Sequence, residues 1–397
     1  MKIVALHTDF RIYWPARLKA LNACLNKRGD RLDVIEIAGE GSPYSFAEKK
    51  REDEISWHIL FPEAKPEDLS GKKIQPVLFE LLDEINPDVV LAGAIAFQSG
   101  ALAVKWGNSR NNKRVIIFDD AKMEAVIRNP MVNFVKRNIY SGVDAMMYPA
   151  EPWISTGQYW GFSDDRMFFG VDVVDNKFWT EKSNEKPYEF DYFLAVGRQI
   201  EKKNYFTIVE AYKKYLDTIG KDKANKLVLI GDGPEHGRIL DFISSAHIED
   251  MVVCMPFQSQ EVLRGIYQNA HLLCSSSSSE TWGLVINEAM CGGCAIIASK
   301  ECGASETLVK PGVNGYIISC FDVDAIAASM VDYHRRSPVE KESMSLASCK
   351  IVSEWGLERF CEGVADACDY VVSHEKRKKT LISRILIPNW YGRYNPV

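Results

Sequence analysis

Five serines, residues 275–279, lead into Glu280, Thr281, Trp282 and Gly283, and an apolar helical pattern then runs from Leu284 past Glu288. This is how a strand end hands over to a helix start in an α/β protein. A helix start presents free N–H groups and the positive end of the helix dipole, which suits phosphate. Glu280 stands just before the helix and Glu288 lies inside it, about 12 Å further along at 1.5 Å per residue. A nucleotide-sugar is of comparable length, and carboxylates accept well from paired hydroxyls at both of its ends. Upstream, Gly197-Arg198 closes an apolar run, with Lys203 five positions later. A planar guanidinium and a point-charge ammonium at one strand end suit a leaving diphosphate. Gly231-Asp232-Gly233-Pro234 closes the next apolar run, where glycines let backbone approach closely.

The elements that must position these residues alternate along the chain. In the first half, strands are expected at 3–6, 32–37, 57–61, 89–94, 114–118 and 145–148, with helices at 15–28, 77–85, 101–107 and 131–139. A further strand begins at Met167, and 39–54 reads as polar and irregular. The second half restarts the rhythm. Strands fall at 190–196, 227–230, 251–256, 272–274, 295–298 and 315–318. Helices fall at 206–216, 235–244, 261–267, 284–291, 324–334, 339–349 and 355–372. Gly292-Gly293 reads as a helix C-cap, and 311–315 as a turn. Such alternation implies parallel sheets covered on both faces. The expected domains are 1–183 and 184–372, with 180–187 as linker, and the residues suited to a diphosphate fall in the second. Both are doubly wound and Rossmann-like, facing an inter-domain cleft, with ligands outside the carboxyl ends of the strands.

Composition narrows the partners. At 397 residues the chain is too long for one typical core. A net charge of −6 argues against wholesale nucleic-acid binding. The start, from Met1 to Thr8, reads as a strand rather than a signal peptide, and no apolar run reaches the roughly 20 residues that span a bilayer. The cytoplasm is the expected compartment. Ten cysteines are present, and Cys291-Gly292-Gly293-Cys294 has redox or zinc spacing. It lacks a partner pair, so reduced structural cysteines are the favoured reading. Residues 373–397 form a basic tail carrying Lys376-Arg377-Lys378-Lys379, an apolar stretch and Trp390-Tyr391. Two readings fit it: a helix packed back on the first domain, or peripheral contact with the inner face of an anionic membrane.

In order and spacing, the blocks from Gly170-Val171-Asp172 to Gly315 resemble the retaining glycosyltransferases of family 4, which have the two-domain GT-B fold. The resemblance implies transfer of a hexose, with a UDP-sugar favoured over GDP-mannose. The acceptor would be a hydroxyl of a glycan or lipid-linked molecule in cell-surface polysaccharide or glycoconjugate synthesis. It implies that Arg198 and Lys203 neutralise the donor diphosphate and that Glu280 holds sugar hydroxyls. Backbone around Gly283 and Leu284, with Thr281 and Trp282, would bind phosphate. Glu288 would take the ribose hydroxyls, Pro256-Phe257 would flank the base, and Gly197, Gly231 and Gly233 would line the donor. It also implies no metal and no cofactor. Asp322-Val323-Asp324 has metal-motif spacing but reads as a helix N-cap, and Ser163-Asp164-Asp165 reads as a turn.

Two departures from the family stand in the first domain. The loop after the first strand, Thr8-Asp9-Phe10-Arg11-Ile12-Tyr13-Trp14-Pro15, has no glycine. Its aromatics would line an acceptor pocket or pack against the helix. After Phe118 the chain reads Asp119-Asp120 in place of a His-Asp pair. Asp119 would orient an acceptor hydroxyl as a base-like group, or serve as a cap. The rival readings are a catalytically silent nucleotide-sugar sensor or scaffold, a GT-B sugar-nucleotide epimerase and a glycan phosphorylase.

Overall fold

The computed structural model describes residues 1–40, 51–123, 129–183 and 187–393. Parts of the expected irregular stretch (41–50) and linker (184–186) lie outside the described residues. The chain divides into two compact units, Met1–Val173 with Leu357–Val397, and Val174–Gly356.

In the first unit the described strands are β1 (Lys2–His7), β2 (Arg31–Ala38), β3 (Ser56–Phe61), β4 (Val89–Ala92), β5 (Arg114–Phe118), β6 (Ala145–Tyr148) and β7 (Met167–Phe169). They form a parallel sheet in the order β3-β2-β1-β4-β5-β6-β7. The second unit has β8 (Tyr192–Val196), β9 (Lys226–Ile230), β10 (Val252–Met255), β11 (Leu272–Ser275), β12 (Ala295–Ser299) and β13 (Gly315–Ile318). Its parallel order is β10-β9-β8-β11-β12-β13. The strand order reverses between β1 and β4 in one sheet, and between β8 and β11 in the other. Each reversal sends successive connections to opposite faces and leaves a crevice at the strand ends.

These strands read as near-continuous apolar runs because both faces are covered. Val89 to Ala92 and Leu227 to Ile230 are all buried. The helices start on recognisable signals. Ser70 accepts from Lys73 N, Asp322 accepts from Ala325 N as an N-cap, and Ser337 with Glu340 makes a reciprocal capping box. The expected helix at 77–85 runs from Gly71 to Ile85, because a proline at position 76 does not stop it.

The boundaries differ from the expected ones. The first crossing falls at 173/174 rather than 183/184, and the helix Leu357–Ser373 belongs to the first unit, not the second. Phe360, Val364, Ala367, Cys368 and Val371 share one buried cluster with Leu18, Leu21, Val171 and Val173. An amphipathic helix declares an apolar face in sequence, but not which sheet will cover it.

The tail packs on the first unit, and two of its cations bind backbone carbonyls there. Lys376 Nζ donates to the carbonyls of Gly107, Arg110 and Lys113. Arg377 donates to those of Tyr140, Val143 and Gly161. Burial pulls the Lys376 ammonium down to about 8. Trp390 Nε1 donates to Ile95 O at 2.7 Å, and Lys105 Nζ sits 3.4 Å from the Tyr391 ring centre. These two aromatics anchor the tail on the first unit.

Candidate functional site

The chemistry-bearing residues of the second unit gather where β8 and β11 end. Beyond β8 the chain passes Gly197 and Arg198 into a tight turn, Glu201–Lys203. Asn204 closes that turn in the left-handed conformation, φ 53°, and starts the helix Tyr205–Ile219. Beyond β11 comes the serine run. The two loops are bonded to each other. Ser278 N donates to Lys202 O at 2.8 Å, and Ser276 Oγ to Asn204 O at 2.9 Å. Asn204 Nδ2 reaches Ser276 O at 3.2 Å and Cys320 O at 2.6 Å. Small hydroxyls can satisfy buried backbone in a space that larger side chains would fill, so the serine run is a structural device.

This stitching brings Lys203 onto Glu280, as an ion pair between Nζ and Oε2. Both side chains are about four-fifths buried, at 18% and 19% exposure. Lys202 is a third cation of the group, which the sequence reading missed. Burial and the neighbouring charges of Arg198 and Lys203 hold its ammonium below the usual lysine range, while Glu280 opposes them. Its signal was the plain Lys202-Lys203 doublet. Arg198 is half-buried.

Glu280 is fixed by backbone as well. Its N–H donates to Glu301 O at 3.3 Å, and its carbonyl accepts from Gly303 N at 3.1 Å. Gly283, at φ +102°, then turns the chain into the helix Leu284–Cys291. A Cβ there would stand 2.8 Å from Cys302 Sγ, so only glycine fits. The helix start therefore lies three residues beyond the Glu280 carboxylate.

The β8 and β9 ends are joined in the same way. Gln199, fully buried, donates from Nε2 to Gly231 O at 3.0 Å, and its Oε1 lies 2.7 Å from His236 Nδ1. A Cβ on Gly231 would come 1.9 Å from Gly197 O, and one on Gly233 2.4 Å from Gln199 O. These glycines serve backbone-on-backbone packing.

Other sequence-predicted residues fall in different settings. Pro256 and Phe257 are exposed just beyond β10. Thr281 is exposed. Glu288 is buried, and one of its carboxylate oxygens accepts from Tyr267 OH at 2.8 Å. The Trp282 side chain is buried away from solvent, with Nε1 donating to Asn287 Oδ1 at 2.9 Å and its ring 5.5 Å from that of Trp355. Its indole takes part in core packing. Cys294 Sγ donates to Tyr267 O, and Cys291 Sγ to Asn176 Oδ1. Burial pushes both thiols up.

In the first unit, Asp119 follows β5. One carboxylate oxygen accepts from Ala121 N at 3.1 Å and the other from Tyr140 OH at 2.7 Å. These bonds are those of the cap alternative. The loop after β1 takes the packing alternative too. Phe10 is buried and lies edge-on to Trp14 and Trp57, while Trp14 stands 5.8 Å from Phe118 and 6.3 Å from Phe360.

Residues 176–342 match the family model described as glycosyl transferases group 1. A stretch of 170 residues is 28% identical to N-acetyl-alpha-D-glucosaminyl L-malate synthase of Bacillus anthracis, covering 42% of this chain and 41% of that protein. Trehalose phosphorylase of Pleurotus pulmonarius is 21% identical over 308 residues, 71% of this chain and 41% of the relative. The chain thus spans about two fifths of the length of these curated relatives. Among solved structures, a glycosyltransferase from Rickettsia africae ESF-5 superposes with a TM-score of 0.73 at 15% identity, over 94% of this chain and 99% of that one. Anabaena HepE, solved in complex with UDP, gives 0.72 at 13% identity, over 93% and 100%. Over residues 176–342 the sequence resembles the group 1 glycosyl transferases, and the chain shares the fold of these solved glycosyltransferases.

Proposed function

We propose that this protein transfers a hexose from a nucleoside diphosphate donor, a UDP-sugar by preference, to a hydroxyl of a glycan or lipid-linked acceptor, with retention at the anomeric carbon. The observation that carries the reading is the cluster of Arg198, Lys202 and Lys203 against Glu280, three residues before a helix N-terminus. Cations and helix N–H groups meeting at one strand end favour a diphosphate. A carboxylate already fixed beside them accepts from sugar hydroxyls.

In this reading the sugar–phosphate bond breaks with positive charge developing at the anomeric carbon and negative charge on the departing diphosphate. Arg198, Lys203 and the helix start stabilise that negative charge more as it grows, which is what lowers the barrier. A phosphate oxygen of the leaving group takes the acceptor proton. Asp119 holds Tyr140 in place on the acceptor side. Glu288, steadied by Tyr267, receives the ribose hydroxyls, and Phe257 offers an exposed ring for the base. No metal takes part in these steps.

The test is release of nucleoside diphosphate on mixing a UDP-sugar with an acceptor panel. If Arg198→Ala left the transfer rate intact, the assigned role would fail. The trehalose phosphorylase relatives support a second reading, in which inorganic phosphate stands where the diphosphate would. Disaccharide breakdown that requires phosphate, with no nucleotide turnover, would select it.

A further inference from the structure

We propose that the outward faces of the helices Pro130–Tyr140 and Leu381–Asn389 dock this protein on an anionic lipid surface. Both belong to the first unit, and they pack on one another, with Thr380 Oγ1 donating to Asn138 Oδ1 at 2.8 Å. Each presents large apolar side chains to solvent. On the first helix Met131 is 76% exposed, Val132 48% and Phe134 53%. On the second, Leu381 is 78% exposed, Ile382 44% and Ile385 69%. The spacings, i, i+1 and i+3 on the first and i, i+1 and i+4 on the second, put each set on one side of its helix. Side chains of this size left in water at such spacing mark a surface that meets another phase or molecule.

Charge selects the occupant. Residues 129–142 carry two cations and 376–393 carry six, and neither segment contains an Asp or Glu. The rest of a chain with net charge −6 is correspondingly acidic, so an anionic surface would attract this face and repel the remainder. Lys376, Arg377 and Lys379 are engaged with backbone carbonyls. Arg137, Lys378 and Arg384 remain exposed beside the apolar set. That combination, apolar side chains flanked by long cations, suits the boundary between acyl chains and headgroups. A second copy of the chain would bring the same cations face to face, which opposes self-association. This surface takes in Lys378 and the apolar stretch of the tail and joins to them the exposed face of the helix Pro130–Tyr140.

The full chain is sedimented with vesicles of phosphatidylcholine alone, and with equal parts of phosphatidylcholine and phosphatidylglycerol, without nucleotide. Binding is expected to the anionic vesicles only, and to weaken with salt. Phe134→Asp and Ile385→Asp should each remove most of it. Arg384→Glu should lower the partition constant at least about five-fold, the factor one cation contributes near such a surface. Phe321→Asp, an exposed apolar position in the second unit, should leave it unchanged. An unchanged thermal midpoint certifies the variants; if an aspartate variant does not fold, Arg384→Glu decides. The proposal is overturned if the parent chain ignores anionic vesicles. It is equally overturned if a folded variant on either helix binds as the parent does, or if the variants change only the oligomeric state. Because no donor is present, the outcome is independent of the nucleotide-sugar reading.

Discussion

The two sheets run in the same order, yet their switch points are finished in opposite ways. At the end of β8 the loops are held by backbone and small side chains: Gly197, Gly231, Gly233 and the serine run. That construction leaves Arg198, Lys202, Lys203 and Glu280 grouped at the strand ends. At the end of β1 the corresponding space is filled by side chains. Phe10 and Trp14 join Phe118 and Phe360, and a nearly buried Arg11 pairs with Asp9 at 3.3 Å. One scaffold can thus present charge or bury it, and the choice is made by the size of the residues in the loops rather than by topology.

Removing the fill should damage one side only. Phe10→Ala leaves a cavity among packed rings and should destabilise the first unit by about 3–5 kcal/mol, seen as a lower unfolding midpoint. UDP binding by the second unit should persist in that variant. The converse is Arg198→Ala, which should lower turnover about a hundred- to a thousand-fold, on the order of 3–4 kcal/mol, with the unfolding midpoint little changed. A uniform loss of stability instead would mean that Arg198 is structural. Gly231→Ala tests the backbone construction itself. With φ +129° and the Gly197 carbonyl in the way, it should cost about 2–3 kcal/mol and weaken nucleotide affinity, read by calorimetry.

The smallest effect concerns Glu36, buried at the end of β2, with Trp57 Nε1 donating to Oε2 at 3.2 Å. Burial raises its carboxyl above the ordinary glutamate range. The folded state therefore holds that proton more firmly than the unfolded chain. Stability falls as pH rises through the interval between the unfolded and folded values, and the loss is complete above the folded value. Glu36→Gln should raise the midpoint above that interval and change it little in acid. A midpoint difference that did not depend on pH would assign the effect to packing.

Much of this contrast was legible beforehand, because it depends on local residue types. Strand and helix order follows from apolar periodicity, and the Gly283 turn from the change of pattern around it. What could not be read depends on contacts distant in sequence. Lys202 looked like one of many surface lysines until the serine loop folded over it. Trp282 sits among donor-site residues in sequence, yet its ring turns toward Trp355. The basic run of the tail looked solvated because nothing local shows that the carbonyls of Gly107, Tyr140 and Gly161 await it. Asp119-Asp120 offered a cap or a base, and only Tyr140, twenty-one residues on, shows which bonds form.

The route of the chain has a further consequence, for the order in which the protein is made. The second unit lies wholly within the span 174–356, so every strand and helix it needs has been synthesised before the first unit is complete. The first unit must wait for residues 357–371, because Phe360, Val364 and Val371 fill its core beside Leu18 and Leu21. On the ribosome the downstream unit can therefore close first, while the β1–β7 sheet stays short of its last covering helix. During that interval the opening residues of the chain are the ones most in need of protection from aggregation.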